Sequence, residues 1–144
     1  MKRILVTGAN KGIGLATVEN LLQNHPDTFL ILGARDEKRG SEAVRLLTSK
    51  EPKWSDRLMM LAIDVSSDES VTMAAETVDS SFETEAKPLY GIINNAGIGS
   101  SSIGLEPTLQ VNTWGIHRVC EAFIPLLEAS GRIVNVTSAA GPNF

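Results

Sequence analysis

Short apolar runs alternate along this chain with longer stretches in which apolar residues return every three or four positions. Ile4–Val6, Phe29–Leu32, Leu58–Ile63, Leu89–Ile93 and Ile133–Val136 are the short runs. Their largely unbroken apolar character suits strands covered on both faces. The first amphipathic stretch opens near Gly12 and carries Leu15, Val18, Leu21 and Leu22 on one side, before Asn24-His25-Pro26-Asp27 breaks it. A second opens near Asp36, with acidic residues in its first turn, where the helix dipole favours them. A third follows the N-cap candidates Ser66-Ser67-Asp68 and sets Val71, Ala74, Ala75, Val78 and Phe82 at helical spacing. The fourth is predicted as one long helix from Glu106-Pro107 to Leu127, with Leu109, Asn112, Ile116, Val119, Cys120, Phe123 and Leu127 on one face.

Strand–helix alternation of this kind predicts an α/β fold, a parallel sheet with helices on both faces. Right-handed crossovers in a doubly wound arrangement give strand order 3-2-1-4-5. The 144 residues suffice for one domain with a single core, and no internal repeat or low-complexity segment interrupts them.

In such sheets ligands bind at the carboxyl ends of the strands. Here those ends carry Thr7-Gly8, Ala34-Arg35, Asp64, Asn94-Asn95 and Thr137-Ser138, so each offers a polar group or a glycine. The loop after the first strand reads Thr7-Gly8-Ala9-Asn10-Lys11-Gly12-Ile13-Gly14. Gly8 permits a tight turn, Gly12 lets backbone approach a phosphate, and Gly14 lets the helix pack near the sheet. A helix starting there aims its N–H groups and dipole at a pyrophosphate. Glycines between a first strand and an amphipathic helix therefore indicate a dinucleotide.

The end of the second strand decides which dinucleotide is expected. Arg35 can fork onto a 2′-phosphate and Lys11 can reach the same region, whereas Asp36 is better used to start the next helix. NADP(H) is thus favoured over NAD(H). Asp64 is placed either to bond an adenine amino group or to cap the turn that follows it. Asn94-Asn95-Ala96-Gly97 forms a small-residue turn expected beside the nicotinamide. Asn112 falls in an apolar stripe, and a buried amide needs a partner, either backbone or a functional water. Cys120 reads as a core residue, His117 and Arg118 as solvated or contact residues, and His25 and Trp54 as breaker and loop. Asn135-Val136-Thr137 matches a glycosylation pattern, discounted because a buried strand is expected there.

Composition narrows the partners. Apolar content of 42%, charged content of 21% and a net charge of −4 describe an ordinary globular chain without the clustered cations of a nucleic-acid surface. The single cysteine allows no internal disulfide, and the opening apolar run ends at Thr7-Gly8, short of a signal segment or membrane span. A cytoplasmic protein is expected, with no nucleic-acid or membrane partner and no metal site.

Taken together, Thr7–Gly14, Asp64-Val65, Asn94–Gly97, Asn112 with Gly115, and Gly131–Ser138 resemble the short-chain dehydrogenase/reductase family, in family order and over essentially the whole chain. Asn10–Leu15 and Ala34-Arg35-Asp36 look most like its NADPH-dependent carbonyl reductases. The resemblance implies a Rossmann-like NADP-binding domain, truncated at its C-terminal end. It assigns the pyrophosphate to Thr7, Gly8, Asn10, Lys11, Gly12, Ile13 and Gly14, and the 2′-phosphate to Lys11 and Arg35. Asp64 with Val65 would meet the adenine, and Asn94, Ala96 and Gly97 would line the cofactor. It makes Ser138 the serine that hydrogen-bonds a carbonyl oxygen, and Asn112 the asparagine that holds a relay water.

Family members also carry a Tyr and a Lys four apart, downstream of that serine. The sequence reaches Phe144 without such a pair; the residue four after its only tyrosine, Tyr90, is Asn94. Three readings stand: a carbonyl reductase acting on a small-molecule carbonyl, an NADP(H)-binding module without turnover, and a dehydrogenase of hydroxysteroids or other secondary alcohols. Self-association through an exposed sheet edge is expected as well.

Overall fold

The computed structural model describes residues 1–99 and 104–138. Five strands, β1 (Lys2–Val6), β2 (Thr28–Ala34), β3 (Leu58–Ala62), β4 (Leu89–Asn94) and β5 (Leu127–Asn135), form one parallel sheet in the order β3-β2-β1-β4-β5. This is the predicted doubly wound order. Helices α1 (Gly12–Asn24), α2 (Glu37–Lys50), α3 (Asp68–Ser81), α4 (Leu105–Asn112) and α5 (Trp114–Phe123) connect the strands.

Period-two alternation within the strands divides the core between the two faces of the sheet. Ile4 and Val6 of β1, with Leu30, Leu32 and Ala34 of β2, pack under Val18 and Leu22 of α1 and Ala43 and Leu47 of α2. Leu5 and Ile31 point the other way, onto Val71, Ala74, Ala75 and Val78 of α3 and Val119 and Phe123 of α5. Sealing the sheet on both sides explains why the strands read as apolar runs rather than alternating ones. Each fully buried Leu, Ile, Val or Phe contributes roughly 1.5–3 kcal/mol.

The predicted long helix is in fact two. Thr113, with φ −119° and ψ −65°, separates α4 from α5, and α5 ends at Phe123 where a 3-10 turn over Ile124–Leu126 contains Pro125. A periodicity drawn through all seven stripe residues assumes one axis, and the break resets its phase. Leu109 is exposed and α4 buries no residue fully, whereas α5 buries Gly115, Val119 and Phe123.

β5 also starts earlier than predicted. Leu127 already pairs with Leu89, but the next pair is Gly91 with Arg132, so Glu128–Gly131 bulges out before the regular ladder from Arg132 to Asn135. Only that ladder has an apolar signature, which is why the sequence showed a strand beginning at Ile133. β5 is half-buried or exposed along its length, so the buried strand assumed around Asn135 is corrected to a sheet edge. Trp54 lies in a 3-10 helix (Pro52–Arg57) and packs, partly buried, against the α1–α2 side of the core.

Candidate functional site

The direction in which the sheet grows reverses at β1, whose neighbours are β2 on one side and β4 on the other. At such a switch point the loops leaving adjacent strands diverge to opposite faces and open a crevice above their carboxyl ends. The glycine loop sits there, tied to both neighbours: the Thr7 N–H donates to the Ile93 carbonyl at 3.0 Å, and the Ala9 N–H to the Gly33 carbonyl at 2.9 Å. Gly8 has φ +63°, and a methyl group on it would stand 2.8 Å from the Ala96 Cα. Gly12 has φ +56° and nothing within 4 Å of where a Cβ would be, so its backbone borders open space. A methyl on Gly14 would overlap the Asn95 amide nitrogen and stand 2.6 Å from the Gly8 carbonyl oxygen. One glycine thus serves the turn, one the approach and one the packing.

Helix α1 begins differently from its neighbours. Asp36 caps α2 by accepting from the Arg39 N–H at 2.9 Å, and Ser67 caps α3 by accepting from the Ser70 N–H at 3.2 Å. Lys11, at the same position before α1, offers no side-chain cap, and the first turn of α1 has no acidic residue. N–H groups without a side-chain cap and the positive end of the dipole therefore face the crevice, an arrangement that suits an anion. Asn10 is half-buried in this loop, Ile13 is exposed at the first turn, and Lys11 and Arg35 are exposed. Neither cation's side chain pairs with any described residue.

On the far side of β2, Asp64 caps the turn that follows it, one of the two roles its position allowed. Its Oδ1 accepts from the Ser66 N–H at 2.9 Å and the Ser66 hydroxyl at 2.6 Å, which caps the turn. Its Oδ2 bonds no described residue and remains available as an acceptor. Val65 beside it is 7% exposed.

The loop after β4 is pinned from beneath and from above. Thr7 Oγ1 accepts from the N–H groups of Asn95 and Ala96, both at 3.1 Å. Asn95 Nδ2 donates to the carbonyls of Thr7 at 3.0 Å and Gly8 at 3.1 Å. Asn95 is the residue whose part the sequence did not disclose: adjacent amides on a strand point to opposite faces, and only packing shows which one holds the glycine loop. Asn94 is 3% exposed; its Nδ2 donates to Asn135 Oδ1 at 2.9 Å and lies 3.8 Å from Cys120 Sγ. Its Oδ1 has no hydrogen-bond partner among the described residues. Cys120 is half-buried rather than fully in the core.

Asn112 is not the buried amide its stripe suggested. It is exposed, and its amide grips the loop backbone: the Ile98 N–H donates to Oδ1 at 2.9 Å, and Nδ2 donates to the Ile98 carbonyl at 2.8 Å. The partner is backbone, in the loop rather than the core. Gly97 stands under it, 3.4 Å from Asn112 Oδ1 to the place of a Cβ. Ser138 lies three residues beyond β5, at the same carboxyl rim. Tyr90 lies at the other end of β4, with the Lys2 ammonium 4.7 Å from its ring centre. A cavity of about 440 Å³ opens at that amino end, lined by Lys2, Arg3, Asp27, Glu85, Tyr90 and Glu128. Arg3 and Glu85 there already neutralise each other.

A model of the family described as short chain dehydrogenase matches residues 2–144. The chain belongs to the short-chain dehydrogenase family. It is 37% identical over 149 residues to the mitochondrial D-beta-hydroxybutyrate dehydrogenase of Bos taurus, covering 97% of this chain and 42% of that protein. It is 33% identical over 144 residues to carbonyl reductase (NADPH) 1 of Rattus norvegicus, covering 94% and 48%. The chain therefore spans less than half the length of these curated relatives. The NADPH-bound carbonyl reductase from chicken fatty liver superposes with a TM-score of 0.79 at 30% identity, over 98% of this chain and 61% of that one. The short-chain dehydrogenase fold accounts for the strand order and for the glycine loop at the β1 switch point. Among the described residues no helix is long and apolar enough to cross a membrane, and no cluster of His, Cys, Asp or Glu could hold a metal ion.

Proposed function

We propose that these residues form the dinucleotide-binding part of an NADP(H)-dependent oxidoreductase that reduces carbonyl compounds. The observation that carries this reading is the start of α1 under the glycine loop, without a side-chain cap, together with Lys11 and Arg35, whose side chains pair with no described residue. In it, the N–H groups at Gly12 to Gly14 hold the pyrophosphate, Arg35 and Lys11 hold the 2′-phosphate, and Asp64 Oδ2 accepts from the adenine amino group. Ala96, Gly97 and the Asn94 turn border the nicotinamide, which supplies a hydride when bound. The Ser138 hydroxyl donates to the substrate's carbonyl oxygen, and Asn112 holds the loop through Ile98. The names of the rat and chicken relatives supply the carbonyl substrate class; the two cations supply the preference for a 2′-phosphate.

Binding distinguishes the cofactors. Calorimetry on the folded chain is expected to show NADPH bound more tightly than NADH, with Arg35→Glu weakening NADPH by about tenfold or more, as loss of a charged hydrogen bond allows. Tighter binding of NADH would return the site to NAD, and binding of neither would remove the dinucleotide reading. The 144 residues contain no Tyr with a Lys four after it, and a general acid is worth about 10²–10⁴ in rate. These residues by themselves are therefore expected to bind NADPH but consume it slowly when a carbonyl compound is added. Turnover at ordinary enzyme rates would show that an acid is present after all. Secondary-alcohol oxidation with NADP would favour the dehydrogenase reading.

A further inference from the structure

Arg118 was expected to be solvated or at a contact surface; its side chain is only 18% exposed and meets acceptors from α3, α4 and the loop after β3. Nε donates to Asp68 Oδ1 at 2.5 Å in the first turn of α3. Nη1 donates to the Gln110 carbonyl at 3.0 Å and, more weakly, to the Val65 carbonyl at 3.4 Å. Nη2 donates to Gln110 Oε1 at 2.6 Å. Carbonyls in the last turn of a helix lack intrahelical donors and favour a cation, so Arg118 closes the end of α4 at Gln110. The fork of a guanidinium can serve these acceptors together, which a single ammonium cannot.

The two ends of this clamp matter for the crevice. Val65 forms part of the proposed adenine wall and is squeezed against α5, since a methyl on Gly115 would stand 2.9 Å from Val65 Cγ2 and 3.2 Å from its carbonyl oxygen. Gln110 lies two residues before Asn112, which holds Ile98 in the loop after β4. Arg118 therefore joins the wall on the β3 side of the crevice to the clasp on its β4 side, across the break at Thr113.

We propose that Arg118 is a positioning residue for the dinucleotide site: without touching the ligand, its guanidinium fixes the Val65 wall relative to the end of α4 that carries Asn112. The inference rests on the dinucleotide reading above and concerns its adenine half. Removing the fork frees Val65 and Gln110 to shift, so the adenine half should lose affinity even in a chain that stays folded.

Calorimetry with NADPH and with adenosine 2′,5′-bisphosphate, below the melting point of each variant, tests this. Arg118→Met is expected to weaken both ligands by about tenfold, a scale within reach of side chains that act on a site without touching its ligand. Arg118→Lys keeps the charge without the fork and should recover only part of that loss. Asp68→Asn removes a carboxylate that is 85% exposed and should change affinity by less than about threefold. If Arg118→Met does not fold, Arg118→Lys and Gln110→Ala carry the test, each expected to weaken both ligands. Unchanged affinity in the folded Arg118 variants, or loss of NADPH with full retention of the bisphosphate, overturns the proposal while leaving the dinucleotide reading intact. A wild-type chain that binds neither ligand overturns both.

Discussion

Asn95 shows how much one side chain can settle. Its amide bonds two successive carbonyls of the glycine loop, while its own N–H and that of Ala96 rest on Thr7 Oγ1. Asn95→Ala keeps the contacts to Thr7 Oγ1 and loses the two to the loop carbonyls. It is expected to cost about 1–3 kcal/mol in a urea titration, the range for polar groups left unpaired. NADPH affinity should fall with it, because the loop that presents Gly12 loses its support. A variant with wild-type stability and affinity would show that packing against Gly14 alone holds the loop. Asn95 and Asn94 were legible as a pair of polar residues at a strand end, but not their division of labour. Which amide faces the loop and which is buried between β4, β5 and α5 is decided by the pleat and by neighbours distant in sequence.

Among the elements, the starts of the helices were readable because capping is local. Asp36 and Ser67 are short side chains one position before helical residues, and the structure uses each as a cap. The break between α4 and α5 was not readable, because Thr113 carries no breaker signal and the apolar stripe continues past it. What joins elements far apart in the chain was equally hidden. Arg3 of β1 forms two hydrogen bonds with Glu85, at 2.9 and 2.7 Å, and stacks 4.2 Å from the Phe82 ring centre. It thereby ties the connection between α3 and β4 to the first strand. The hydrogen bond from Arg3 holds the Glu85 carboxyl below its ordinary range, against a smaller opposing effect of burial. A carboxyl lowered in the folded state stabilises it fully above the unfolded value of about 4.3, and that contribution fades as pH falls through the lowered folded value. Urea midpoints of wild type and Glu85→Gln should accordingly differ at pH 7 and converge in acid. A gap that persists undiminished at pH 3 would mean that the pair does not act through its charge.

For the whole molecule, the exposed flank of the sheet lies at β5, which is half-buried or exposed along its length. Among the described residues β5 is an outer strand of the sheet. Ile133, Val134 and Val136 are 38%, 49% and 42% exposed. An unpaired edge with apolar side chains on both faces invites pairing with a second copy. Sedimentation velocity on this chain is expected to show association that grows with concentration. A single monomeric species over a hundredfold concentration range would count against it.

The sequence by itself determined the alternation of strands and helices, the doubly wound order and the glycine loop with its two cations. These depend on local propensity, short-range periodicity and the steric demands of particular turns, all of which are written in neighbouring residues. Only the tertiary structure decided that Asn95 rather than Asn94 holds the glycine loop, that Asn112 grips Ile98 from an exposed position, and that Arg118 is half-buried between α3, α4 and the loop after β3. Such contacts form between segments tens of residues apart, and their geometry exists only once the sheet has brought the carboxyl ends of its strands together.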